Sequence, residues 1–221
     1  MIHELRTPMS AILGFAQLLA QEQGLTTLQL ERLAIIDKAG KTLLATINDS
    51  LSLAKIEAGM VELTPFDFDL NELIQDLIKL LSPGARAKGI GLFLDPTSVF
   101  PGWIRTDPVK LRQILVNLVG NSIKCTRQGE VTIWIEVEEP RNPAAARRLR
   151  LEVRDTGHGI ARQDLARIFD PFVQLHNREG TGLGLSISRQ FVKLLGGEIE
   201  AESQLGKGTT MRFDIEFDLH P

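Results

Sequence analysis

The sequence predicts an α+β protein in two parts: an N-terminal antiparallel helical hairpin followed by a two-layer α/β sandwich. Three patterns predict it. Apolar residues recur at steps of three and four through the first sixty residues, apolar and polar residues alternate strictly in three later stretches, and helical stripes separate those stretches.

The hairpin occupies residues 1–59. Ile2, Leu5, Met9, Ile12, Ala16 and Leu19 form a heptad-like seam, and Gly24 closes that helix. After Leu25-Thr26-Thr27, a second stripe runs through Leu33, Ile36, Gly40, Leu43, Ile47, Leu51 and Ala54, with Gly59 as its stop. A solitary helix pair leaves half of each stripe in water, so a homodimer that closes a four-helix bundle is expected. Residues 60–69 read as a linker, where Pro65 opposes a continuing helix.

The second domain spans 70–221. Val131, Ile133, Ile135 and Val137 alternate with polar residues, as do Leu149, Leu151 and Val153, and again Met211, Phe213, Ile215 and Phe217. Strict period two means one face buried and one face wet. Helices over Leu70–Leu81, Asp107–Lys124 and Gly182–Leu195 supply the cover, which gives a two-layer sandwich in place of a doubly wound parallel sheet. Pro140 to Ala146 reads as a loop between two strands.

Composition removes several function classes. With 25 Lys and Arg against 28 Asp and Glu, the net charge of −3 offers no footprint for nucleic acid or an acidic membrane surface. Cys125 is the single cysteine, which excludes an intramolecular disulfide and a cysteine-built zinc site. No apolar run approaches a membrane-spanning length and the N-terminus has no leader pattern, so this segment is expected in the cytoplasm.

Three elements carry chemistry. The helix opened by Asp107-Pro108 sets Lys110, Gln113, Asn117, Asn121 and Lys124 along one flank, opposite Leu111, Ile114, Leu115 and Leu118. That flank is either a solvated face or a ligand face; mid-helix asparagines are poor helix formers, and an amide oxygen suits a magnesium ion shared with phosphates. In Asp155-Thr156-Gly157-His158-Gly159-Ile160, strand parity aims Asp155 inward, where it needs a donor such as an adenine amine; the alternative is a turn aspartate rotated to solvent. Gly180-Thr181-Gly182-Leu183-Gly184-Leu185 directly precedes an apolar helix, a setting in which backbone amides approach phosphate closely.

In this order the motifs resemble those of the bacterial sensor histidine kinases. His3-Glu4-Leu5-Arg6-Thr7-Pro8 is similar to the phosphoacceptor box, Asn117–Lys124 to the asparagine box and Asp155–Ile160 to the first glycine box. Phe169-Asp170-Pro171-Phe172 resembles the phenylalanine box and Gly180–Leu185 the second glycine box. The resemblance covers essentially the whole chain. It implies a dimerisation and phosphotransfer hairpin followed by an ATP-binding domain of the Bergerat type, and a catalytic core belonging to a longer sensor. Cys125 stands where the family usually has an aromatic residue.

The resemblance also implies roles. His3 would take the γ-phosphoryl group of ATP, with Glu4 as base, and would pass it to an aspartate of a response-regulator receiver domain. Thr7 would position water for a phosphatase reaction; four residues from His3, it shares that face of the helix. Pro8 crowds the Glu4 carbonyl and predicts a bend there. Asn121 would hold Mg2+, Asn117 and Lys124 the phosphates, and Asp155 the adenine. Gly157, Gly159, Ile160 and Phe172 would shape the base pocket, and Gly180, Thr181, Gly182, Leu183, Gly184 and Leu185 the phosphate loop. Val173 to Glu179 would cover the nucleotide, with His176–Glu179 read as a solvated loop.

Two rivals remain at this point. A hydrolase of the gyrase or chaperone kind shares the second domain but uses a glutamate where this chain has Asn117, and an amide is no general base. A non-catalytic adaptor would be expected to lose the histidine or a nucleotide box, whereas His3, Asn121, Asp155 and the glycines are all present.

Overall fold

A computed structural model describes residues 2–138, 146–175 and 180–219, with side chains from Thr7 onward. Two helices lead, α1 (Ile2–Leu19) and α2 (Thr27–Glu57). The entry to α2 is fixed by a reciprocal cap: the Thr26 hydroxyl accepts from Gln29 N, and the Gln29 side chain accepts from Thr26 N at 2.8 Å. Its exit matches the stop read at Gly59, where φ is +66° and Met60 N donates back to Lys55 O.

The hairpin is antiparallel. The Leu13 side chain lies on Gly40, and Gln17 Nε2 donates to Asp37 Oδ1 at 2.9 Å. A side chain at Gly40 would collide with Leu13, so the glycine sets the close approach of the helices. Leu13 and Ala16 are buried between them, whereas Ile12, Phe15, Leu18, Ile35, Ile36 and Leu43 are exposed. The seam read from the sequence is therefore split: Ala16 and Gly40 face the partner helix, while Ile12 and Leu43 face outward.

Among the described residues seven strands form one sheet, with β1 (Phe66–Asp69), β2 (Gly91–Leu94), β3 (Trp103–Thr106), β4 (Glu130–Glu138), β5 (Arg147–Asp155), β6 (Ile199–Gln204) and β7 (Gly208–Leu219). The order is β1-β3-β7-β5-β4-β2, and β6 also pairs with β7. Only β2 and β4 run parallel among these pairs. Helices α3 (Leu70–Ala87), α4 (Pro108–Cys125) and α5 (Gly184–Leu194) cover one face. Alternation along the long strands places Val131, Ile133, Ile135, Leu149, Leu151, Val153, Phe213 and Ile215 in the core against those helices.

The opposite face is polar. Glu152 is buried there because Arg154 and Arg212 close over it, with Arg212 Nε at 2.9 Å from Glu152 Oε1, and Arg154 also stacks on Trp134. Parity alone would have left Glu152 in water.

Several boundaries differ from the sequence reading. Helix α1 ends at Leu19, five residues before the stop read at Gly24, and α5 begins at Gly184 instead of Gly182. Residues 66–69, assigned to the linker, form β1 and pair with β3, Phe66 opposite Thr106. Helix α3 continues past Leu81 to Ala87, through Pro83, because Ala85 is buried against the core. Strands β2, β3 and β6 did not stand out because they have four to six residues, too few for alternation to be distinctive. Most of the Pro140–Ala146 loop and the stretch His176–Glu179 lie outside the described residues.

Candidate functional site

The site is built around α4. Asp107 caps the helix through Val109 N and Lys110 N, both 3.0 Å from Oδ1, ahead of Pro108. Its other oxygen binds Thr64 N at 3.0 Å, Thr64 Oγ1 at 3.1 Å and Lys110 Nζ at 2.9 Å. Burial would raise the Asp107 acid, but the hydrogen bonds from Thr64 and Lys110 outweigh it and hold the carboxyl below its ordinary value. Lys110 also reaches Glu62 O at 3.3 Å. It therefore serves the junction between the hairpin and the sheet, and is not part of the ligand flank on which the sequence placed it.

Two and three turns beyond Lys110, Asn117 and Asn121 sit half-buried on the same flank. Asn117 Nδ2 donates to Ser188 Oγ of α5 at 2.8 Å, and Asn117 Oδ1 accepts from Asn121 Nδ2 at 3.3 Å. The carbonyl oxygen of Asn121 is left as the hard donor of the pair. Gly184, the first residue of α5, packs so closely on Asn117 that a Cβ would fall on the amide. The asparagine helix and the glycine loop are thus in van der Waals contact through a missing side chain. Lys124 is exposed at the end of α4, its Nζ 4.0 Å from where a Gly180 Cβ would stand.

Asp155 ends β5 and is 9% exposed, so the reading as a solvent-facing turn residue does not hold. Its Oδ1 accepts from Gly157 N at 2.9 Å and Thr209 N at 3.2 Å, and its Oδ2 from Ser122 Oγ at 3.0 Å. Burial pushes this carboxyl up, opposed by the bonds from Gly157, Ser122 and Thr209 and by nearby His158. Gly159 has φ +69° and lies on the Gln204 carbonyl, a place no side chain fits. Ile160 N donates to Ser203 Oγ at 2.8 Å, and an open cavity of about 710 Å³ borders Asp155, Ile160 and Thr209.

The glycine loop is knotted to the phenylalanine box. Phe172 N donates to Gly182 O at 2.8 Å, with Phe172 at φ +64° and the residue exposed. Leu183 is fully buried and Leu185 packs on the core, so only their backbones are available to a ligand. Thr181 Oγ1 donates to Asp49 Oδ2 of α2 at 2.7 Å and accepts from Leu183 N at 3.2 Å. Below that contact, Leu53 and Ile56 of α2 join the core of the sheet domain.

His3 and Glu4 lie in α1, but their side chains are outside the described residues; Thr7 is on the same helix and exposed. The register that sets Leu13 against Gly40 and Gln17 against Asp37 brings the helical position of His3 level with Ser50, next to Asp49.

The phosphoacceptor family profile "His Kinase A (phospho-acceptor) domain" matches residues 1–59, and "Histidine kinase-, DNA gyrase B-, and HSP90-like ATPase" matches 106–219. The chain belongs to the histidine kinases. Among curated relatives of this histidine kinase chain, the sensor histidine kinase GacS of Pseudomonas protegens is 41% identical over 95% of the chain and 23% of the relative. Signal transduction histidine-protein kinase BarA of Escherichia coli is 38% identical, over 100% and 24%. The histidine kinase chain thus spans about a quarter of the length of these relatives. Among solved structures, full-length ShkA in complex with AMPPNP superimposes with a TM-score of 0.81 at 35% identity, over 99% of this chain and 45% of that one. Acinetobacter baumannii AdeS, at 23% identity and a TM-score of 0.66 over 97% of both, shares the fold.

Ser122, Ser188, Thr209 and Asp49 are the site residues that sequence reasoning missed. Ser122 carried a signal, a hydroxyl on the apolar side of an amphipathic helix; the other three depend on pairings between distant elements. Cys125 is half-buried, and burial pushes its thiol up, with the Asp155 carboxylate adding to the effect. Among the described residues no cluster of three His, Cys, Asp or Glu side chains could hold a metal, and no helix is long and apolar enough to cross a membrane.

Proposed function

We propose that this histidine kinase core binds ATP between α4 and the two glycine boxes and autophosphorylates on His3. One observation carries the reading. The glycine loop is bonded to the hairpin at the height of His3, through Thr181 and Asp49. A nucleotide held by that loop would present its terminal phosphate on the side of the molecule where the histidine helix runs.

The residues fit the nucleotide. Asp155 retains an acceptor for the adenine amine, Gly157, Gly159 and Ile160 line the base side, and Lys124 reaches towards Gly180 of the phosphate loop. Asn121 is the residue that would hold magnesium, an ion that neutralises phosphate charge when bound. Asn117 spends its amide on Ser188, and an amide cannot take a proton from water, which speaks against the hydrolase reading.

In the proposed reaction the neutral imidazole of His3 attacks the γ-phosphorus in line. A nitrogen–phosphorus bond forms as the bond to the β-phosphate oxygen breaks, and ADP leaves. Glu4 holds the other ring N–H, and Thr7 positions water for a separate phosphatase reaction that hydrolyses a phosphorylated partner. Position and charge neutralisation supply most of the acceleration. The phosphoryl group then passes to an aspartate of a receiver domain of a response regulator. The exposed stripe of Ile12, Phe15, Leu18, Ile36 and Leu43 is the surface on which a second copy would complete a four-helix bundle. Residues 1–59 are thereby the dimerisation and phosphotransfer unit, the catalytic unit begins at Phe66, and both work in the cytoplasm.

Incubation with magnesium and γ-labelled ATP tests this. The adduct should be acid-labile and base-stable, and should be lost in His3→Ala while ATP affinity is kept. Continued phosphate release by His3→Ala at the parent rate would instead identify a hydrolase.

A further inference from the structure

Ser122 lies on the buried side of α4, 3% exposed, flanked by Leu118, Val119 and Ile123. A helical serine commonly bonds back to the carbonyl one turn earlier. Ser122 instead donates across to Asp155 Oδ2 at 3.0 Å. A carboxylate offers two acceptor sites on each oxygen. Gly157 N and Thr209 N fill both sites on Oδ1, and Ser122 fills one on Oδ2. A single acceptor site remains.

We infer that Ser122 is a positioning residue: it fixes the rotation of the Asp155 carboxylate so that its last acceptor site faces the base, which makes the pocket select a purine carrying an exocyclic amine. The inference rests on the ATP reading above and deepens it. Both groups are shielded from bulk water, so a missing hydroxyl leaves Oδ2 without its orienting donor. The planar carboxylate turns as one body about Cβ–Cγ, so the Ser122 bond acts together with the two backbone bonds on Oδ1, and its loss loosens the orientation that all three set. A base with a carbonyl at the same position would set two acceptors against each other.

The test is calorimetric titration of the 221-residue chain and of Ser122→Ala with two nucleotides at neutral pH. One is ATP; the other is purine riboside triphosphate, which carries the same triphosphate on a base without the amine. The parent is expected to prefer ATP by roughly tenfold or more, the scale of one net hydrogen bond. Ser122→Ala should lose about tenfold in ATP affinity and stay within about twofold for the analogue, so the preference collapses. Ser122→Cys, similar in size with a weak donor, should fall between the two and serves if the alanine variant does not fold. Equal losses for both nucleotides, as a merely structural role would give, overturn the inference, and so does an unchanged preference. If the parent binds neither nucleotide, the ATP reading itself falls and this inference with it. ATP binding with an unaltered preference removes Ser122 alone.

Discussion

Two buried aspartates are shifted in opposite directions, Asp155 upward by burial and Asp107 downward by hydrogen bonds that outweigh its burial. For Asp155 the fold favours the protonated acid, so its contribution to stability is complete below the ordinary carboxylate range and is lost as pH rises through its raised pKa. Ligand binding has the reverse sense, because only the ionised form can accept from an amine at the remaining site. ATP affinity should therefore weaken on acidification at higher pH than an exposed aspartate would allow, and a series of titrations from neutral pH downward checks this. Asp155→Asn should lose on the order of 10- to 100-fold in ATP affinity, because an amide donor would meet an amine donor. For Asp107 the acid is held low, so its stability is present above the ordinary range and is lost as pH falls through the lowered pKa. Removing it as Asp107→Ala strips the cap of α4 and leaves the Lys110 ammonium only the Glu62 carbonyl, at a cost of about 2–4 kcal/mol in denaturant unfolding.

Among the elements, the hairpin depends on one missing side chain. Gly40→Val would drive a branched group into Leu13, and overpacking of this kind costs about 1–3 kcal/mol, read as an earlier melting of helical signal. Gly184→Ala should act differently: its Cβ would displace Asn117 and part α5 from α4, so nucleotide affinity should fall while the hairpin melts unchanged. The long elements were legible in the sequence because each carries its own period and punctuation, as in Asp107-Pro108 opening α4 or Gly59 closing α2. Strand β1 was not, since Phe66–Asp69 owes its strand state to pairing with β3 and to nothing local. The motifs of the site were equally plain, and what escaped was the support behind them. Ser188 holding Asn117 and Thr209 holding Asp155 are contacts between distant segments that no spacing announces.

Across the whole molecule, the junction between the two parts is shorter than a linker of 60–69 would make it. Thr64 and Glu62 are fastened to the start of α4, and Val61 packs on the core, so the turn at Gly59 is the natural pivot. On the far side of that pivot Leu53 and Ile56 bury themselves in the sheet domain. Leu53→Ala should cost about 2–4 kcal/mol and uncouple the parts, seen as faster proteolysis near residues 58–61 with the sheet domain intact. In the proposed transfer, any shift of the catalytic half against the hairpin acts through this junction. The central claim, that an imidazole in α1 receives phosphate from a nucleotide held on α4, is tested most directly by locating the modified residue. After reaction with magnesium and ATP, fragmentation mass spectrometry at neutral pH should place the phosphoryl group on His3. A chain that binds ATP, dimerises and yet carries its phosphate on another residue, or on none, would contradict the account.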